Sequence, residues 1–204
     1  MAISNSNQSG SLFSGDKASL DKTLQKYEGY LKLLAEVQLG QMLQSRIGAS
    51  DVLQETLLKA AQGWDQFRGT TEAELLGWLK KILLNNVHQA IQFHTAGKRS
   101  IRREISLDRM NAMHLSTAAL DHALIAQISS PSEPAKRHET VLIVADCLAE
   151  LDEKCHQIIL LRTLLGKPYS EIAQRLGKSE AACRMMWLRA IKALRPGFEK
   201  RNLL

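Results

Sequence analysis

The chain is predicted to be all-α: two small helical domains joined by a flexible linker, the C-terminal one a four-helix unit that contains a helix-turn-helix. Three observations predict this. Apolar residues recur at steps of three and four rather than two, in a chain of 204 residues with only four prolines and few aromatics. Two apolar runs open with a capping-box pattern, Asp51 with Gln54 and Thr71 with Glu74. Ala173, Gly177 and Cys183 then stand four and six residues apart, where two crossing helices need a small contact, a turn residue tolerant of positive φ and a modest apolar side chain.

In chain order, residues 1–17 are rich in Ser, Asn and Gly and are expected to be disordered. The first domain, 18–97, opens with a single helix carrying the stripe Leu20, Leu24, Tyr27, Leu31 and Leu34 and ending near Gly40. After a connection from Arg46 to Ser50, a second helix buries Leu53, Leu57, Ala60 and Trp64 and shows Gln54, Glu55, Leu58 and Lys59 on its other face. A loop, DQFRGT, leads to a long helix reaching His94 with Leu75, Leu79, Ile82, Val87 and Ala90 inward. Its outward residues, Lys80, Lys81, Asn85, His88, Gln89 and Gln92, are amides and bases rather than acids, a surface suited to nucleic acid.

Residues 98–134 are the linker: a basic cluster, GKRSIRREISLDR, then a stretch without strong periodicity ending in SSPSEP. The second domain, 135–198, begins with a helix that buries Val141, Ala145 and Leu148, then one from Asp152 that buries Ile158, Leu161 and Leu165. Ile172 and Leu176 complete the seam of the helix-turn-helix. Ser179 is placed to cap its second helix, which starts near Glu180 and buries Cys183, Trp187, Ala190 and Leu194. Residues 199–204 form a tail.

Charge separates the halves. From Thr163 to Leu204 there are nine Lys or Arg and three Glu, a balance of +6 equal to that of the whole chain, so the remainder is neutral. Positive charge confined to the part with the turn, and Arg184, Met185, Leu188 and Arg189 on the outward side of its second helix, are the footprint of a DNA-binding module. Cys147, Cys155 and Cys183 are odd in number and unpaired in spacing, which argues against a disulfide framework or zinc site. The sequence offers no Gly-rich phosphate loop, metal-spaced His and carboxylates or nucleophile set, so neither enzyme activity, metal nor cofactor is expected. With neither an apolar run of membrane length nor a secretory N-terminus, the protein is expected to be cytoplasmic, with no membrane insertion.

Two strings narrow the function. DVLQETLLKA, followed by a Trp-Leu-Lys-Lys-Ile-x-x-Asn run, resembles the second region of bacterial RNA polymerase sigma factors of the extracytoplasmic-function (ECF) group; the string from Leu151 to Arg195 resembles the fourth region of the same group. The resemblance implies a factor that binds core RNA polymerase, through the clamp helices of the largest subunit and the flap of the second, and directs promoter recognition and melting. It assigns Asp51, Gln54, Glu55 and Leu58 to core polymerase. To the minus-ten DNA it assigns Trp78, Ile82, Phe67, Arg68, Lys80, Lys81, Asn85, His88 and Gln89, with the loop from Asp65 to Thr71 receiving a flipped base. Ser179, Glu180, Arg184, Met185, Leu188 and Arg189 fall to the minus-thirty-five DNA. The group commonly has a membrane-linked anti-sigma factor, a third partner that the resemblance admits without naming. Pro168 stands where the group usually has a capping Ser, and Met185 and Met186 where it has a Ser-Arg pair, so the DNA sequence read will differ. The alternative is a stand-alone helix-turn-helix regulator whose N-terminal half dimerises or binds an effector.

Overall fold

The computed structural model describes residues 17–43, 47–95, 117–125 and 134–203, and among these every regular element is helical. The expected disordered N-terminus before Lys17 and the basic cluster after Gly97 lie outside the described residues, whereas the connection expected from Arg46 to Ser50 already gives way to helix at Ala49.

The N-terminal unit comprises α1 (Lys17–Gln25), α2 (Glu28–Leu43), α3 (Ala49–Gln62) and α4 (Glu72–Thr95), with a single 3-10 turn, Trp64–Gln66, between α3 and α4. The expected single first helix is two. The chain turns at 26–27, where the Tyr27 amide bonds back to Leu24 at 2.9 Å, and the break allows Tyr27 and Tyr30 both to be buried. Gly40 bends α2 again, at φ 58°, a region that costs glycine nothing. The Asp51–Gln54 capping box does not form. Helix α3 is capped three residues earlier, at Gly48, leaving Asp51 in its first turn where its charge still favours the helix dipole. The Thr71–Glu74 box does form: the Glu74 amide donates to Thr71 Oγ1 at 3.2 Å, and the Thr70 and Thr71 amides donate to the Glu74 carboxylate at 2.8 and 3.0 Å. Those bonds hold the Glu74 carboxyl below its ordinary pKa.

Helix α4 is the centre of this unit. Leu75, Leu79 and Val87 are buried as expected, but so are Leu76, Leu83, Leu84 and Ile91, because α2 and α3 both pack on it and cover a face wider than one stripe. Ile82 and Ala90, with Leu57 and Trp64, are only half-buried. Part of the expected linker is a helix, α5 (117–125). It docks by burying Leu120 and Leu124 in the core and by polar contacts at the edge: Tyr30 donates its hydroxyl to Asp121 at 2.7 Å, Lys80 Nζ pairs with Asp121 at 2.7 Å, and Gln38 donates to Thr117 at 3.2 Å.

The C-terminal unit is α6 (Pro134–Ala149), α7 (Glu153–Ile159), a π turn (Leu160–Leu164), α8 (Tyr169–Leu176) and α9 (Glu180–Lys200). Asp152 caps α7 by accepting from the Lys154 and Cys155 amides. The π turn, unforeseen, closes with the Leu165 amide on the Leu160 carbonyl at 2.9 Å. Gly177 takes the left-handed conformation, φ 61°, that the sharp turn demands, and Ser179 accepts from the Ala182 amide at 3.1 Å to begin α9. Cys183, Ala190 and Leu194 are buried. Trp187, expected inside, is half-buried with its indole N–H donating to Thr163 at 3.1 Å, and Leu165 and Leu176 are half-buried too. Helix α9 runs on to Lys200, and Arg201 reaches back to Glu150, so that stretch of the expected tail is packed.

The two units touch. Helix α2 packs on α6, with Gly29 set so close that a side chain there would meet the Asp146 carboxylate. His156 lies across the same seam: one ring nitrogen donates to the Leu148 carbonyl at 3.0 Å, the other meets the Glu36 carboxylate at 2.6 Å. Only the imidazolium donates from both nitrogens. The Glu36 bond raises the His156 pKa, burial opposing it.

Candidate polymerase and nucleic-acid interface

Asp51, Gln54, Glu55 and Leu58 follow one another at helical spacing along α3 and are all exposed, Leu58 by 53%. An exposed leucine beside two acids and an amide is a mixed surface of the sort that meets a basic, partly apolar partner. Glu55 pairs with Lys59 at 3.2 Å, one turn on.

Lys59 leads to the second feature. Its ammonium donates to Asn86 at 2.6 Å and reaches Gln89 at 3.4 Å, while Asn86, buried, donates to Thr56 at 3.0 Å. Lys59, Asn86 and Gln89, with Gln66, Trp78 and Asn85, line a cleft of about 300 Å³ between α3 and α4. Beside it lie three half-buried rings: Trp64 stacks on Phe67 with centroids 5.7 Å apart, and Phe67 lies 5.2 Å from Trp78. The phenyl ring of Phe67 sits so close to Gly69 that a Cβ there would clash with it, so the loop from Asp65 to Thr71 is braced by packing. Arg68 is exposed and donates to the Asp65 carbonyl at 2.6 Å.

Of the residues the sequence placed on the nucleic-acid face of α4, Lys81, Asn85 and Gln89 are exposed together near this cleft. His88 is half-buried and bonded to Gln92 at 2.7 Å. Lys80 sits apart from them, paired with Asp121 and lying over the Tyr30 ring at 4.9 Å. Lys59, Gln66 and Asn86 were missed as lining. The available signal was Asn86 itself, an amide three residues after Leu83 and seven after Leu79 on the apolar stripe, where it must find polar partners inside.

On α9, Met185, Leu188 and Arg189 are exposed, the first two by 51% and 52%. Arg184 is exposed also, paired with Glu180 at 3.2 Å, with its guanidinium 5.4 Å from the Tyr169 ring. Arg162 lies over the same ring at 4.7 Å. Ser179 spends its hydroxyl on the cap.

Comparison with known proteins matches both halves. Residues 27–96 match Sigma-70 region 2, and residues 142–194 match Sigma-70, region 4, the two together covering more than half of the chain in that order. The chain belongs to the sigma-70 family. It is similar to the ECF RNA polymerase sigma-E factor of Haemophilus influenzae, at 27% identity over 161 residues, which cover 78% of this chain and 77% of that one. A sigma-70 protein with regions 2 and 4 is a transcription initiation factor, and the match across α2 to α4 disfavours the stand-alone regulator, whose N-terminal half would be an unrelated dimerisation or effector domain. Among the described residues no helix is long and apolar enough to cross a membrane.

Proposed function

We propose that this ECF-type sigma factor divides its work among three surfaces. The α3 face of Asp51, Gln54, Glu55 and Leu58 takes the clamp helices of the largest polymerase subunit, the cleft between α3 and α4 takes an unstacked base of the minus-ten element, and the outward side of α9 enters the major groove at the minus-thirty-five element. The C-terminal unit also meets the flap of the second large subunit. The factor has no reaction of its own and works in the cytoplasm, where its polymerase is.

One observation carries this reading: a cleft with room for a base, walled by amides and one indole, adjoins the exposed acidic face of α3, with Lys59 in the cleft paired to Glu55 on that face. Amides offer both donors and acceptors to a Watson–Crick edge, and an indole offers a stacking surface worth about 1–3 kcal/mol per base. With Lys59 inside it, the cleft attracts the nucleotide's phosphate as well.

The test is promoter opening by holoenzyme reconstituted with core polymerase, followed with 2-aminopurine placed at successive minus-ten positions. Asn85→Ala with Gln89→Ala is expected to leave polymerase binding intact and to suppress the fluorescence rise at one position. An undiminished rise at every position would remove the cleft from base capture.

A further inference from the structure

The outward face of α9 has an apolar centre and cationic edges. At about 100° per residue, Ala181, Met185 and Leu188 fall on the line opposite the buried Cys183, Ala190 and Leu194, with Lys192 continuing it, while Arg184 and Arg189 fall to either side. Arg184 is held at its edge by Glu180 and the Tyr169 ring, which leaves the middle to the two long apolar side chains. Among the described residues both are large apolar side chains about half open to solvent.

We propose that Met185 and Leu188 read thymine methyl groups on neighbouring base pairs of the minus-thirty-five element. This rests on the reading that α9 enters the major groove there. The floor of that groove presents donors and acceptors everywhere except at the C5-methyl of thymine, so an exposed methionine and leucine gain contact only at T·A or A·T pairs. Three residues of helix rise about 4.5 Å, close to the roughly 3.4 Å between base pairs, which places the two side chains over adjacent or next-but-one steps. The unbranched thioether of Met185 adapts to either strand's methyl, whereas Leu188 is shorter and more selective. Charge selects DNA as the occupant over an apolar protein partner. Arg184, Arg189 and Lys192 rim the stripe, within a segment whose balance is +6, and a duplex supplies phosphates to all three.

The experiment uses full-length protein with core polymerase and a promoter pool randomised across the minus-thirty-five element. Selection is expected to enrich thymines at two positions within a three-base-pair window. Deoxyuridine in place of thymine, which removes the methyl alone, should weaken binding about fourfold at each, the loss of one buried carbon. Met185→Ser should abolish the sensitivity at one position and Leu188→Ser at the other, with melting temperature unchanged since both side chains are exposed. Equal binding to deoxyuridine and thymine everywhere, while Arg189→Ala still weakens binding, overturns the methyl reading and leaves the groove reading standing. If Arg184→Ala, Arg189→Ala and both serine variants all bind the promoter as before, the groove reading falls with it. Loss of polymerase binding in the serine variants, with DNA binding kept, makes the stripe a protein contact and overturns the proposal.

Discussion

The cleft beside α4 and the outward face of α9 handle their cations in opposite ways. At the cleft, Lys59 is bound to the buried amide of Asn86 as well as to Glu55, and Arg68 to a loop carbonyl; elsewhere on α4, Lys80 is bound to Asp121 on a helix 41 residues away, with both partners of that pair largely covered. On α8 and α9 the ion pairs Lys167–Glu171, Arg184–Glu180 and Arg195–Glu199 are single-turn pairs in solvent, worth a few tenths of a kcal/mol and easily exchanged for a phosphate. A surface for duplex DNA needs mobile excess charge, whereas a pocket for one base needs fixed polar groups in a neutral wall.

Several variants sharpen or break this contrast. Glu55→Arg has the largest expected effect. It sets a cation against the partner proposed for the acidic face, which on that reading costs on the order of 2–5 kcal/mol in polymerase binding. Promoter-directed transcription and co-purification with core polymerase should be lost with thermal melting unchanged; a variant that still initiates at the same start sites would take α3 out of the interface. Asn86→Ala strips Thr56 and Lys59 of a buried partner and should lower the folding free energy by about 1–3 kcal/mol in urea titrations. It tests whether the wall of the cleft is fixed: a variant as stable as the parent would make it pliable.

Arg189→Ala should weaken promoter binding by about 1–3 kcal/mol if the residue reads a base edge. Lys192→Ala should do less at any one salt concentration, but lower the slope of log affinity against log salt by about 0.9 if its charge meets one phosphate. Lys80→Ala should leave that slope alone. If the two lysine variants alter it equally, the difference between the surfaces is not one of charge.

The smallest expected effect concerns the seam between the units. Because Glu36 raises the His156 pKa, the pair's stabilisation is whole below about pH 6.5, the ordinary histidine value, and is lost as pH rises through the raised one. Melting temperature should therefore fall with pH above that point in the parent and fall less steeply in Glu36→Gln. Identical slopes would mean that the pair contributes nothing.

What the sequence made legible was local. Gly177, Ser179 and the Thr71–Glu74 box act on backbone within four residues of themselves, so their types and spacing settle their geometry. The outward faces of α3 and α9 follow from helical period, and the residues expected there are exposed except Lys59, which is half-buried beside the cleft. The Asp51 box misled because it too is only a local preference, and the chain had an earlier start available at Gly48. What depended on distant partners was hidden. Lys80 looked outward until α5 brought Asp121 to it, Asn86 needed Thr56 from another helix, and the break before Tyr27 serves a core that no single stripe describes. Helix α5 is short, and its inward stripe of Thr117, Leu120 and Leu124 opens on a polar residue whose partner, Gln38, lies on a distant helix.

The packing of α2 on α6 has a consequence of scale. A chain of 204 residues folded into one body is on the order of 45 Å across, whereas elements centred about 25 base pairs apart are separated by roughly 85 Å of duplex. No single docked arrangement spans both. If the proposed surfaces of the two units are to hold both elements at once, the seam at Gly29, Asp146, Glu36 and His156 has to part. The apparent affinity for a whole promoter is then the intrinsic one multiplied by the fraction of molecules already parted, so residues that touch neither DNA nor polymerase set how tightly the factor binds.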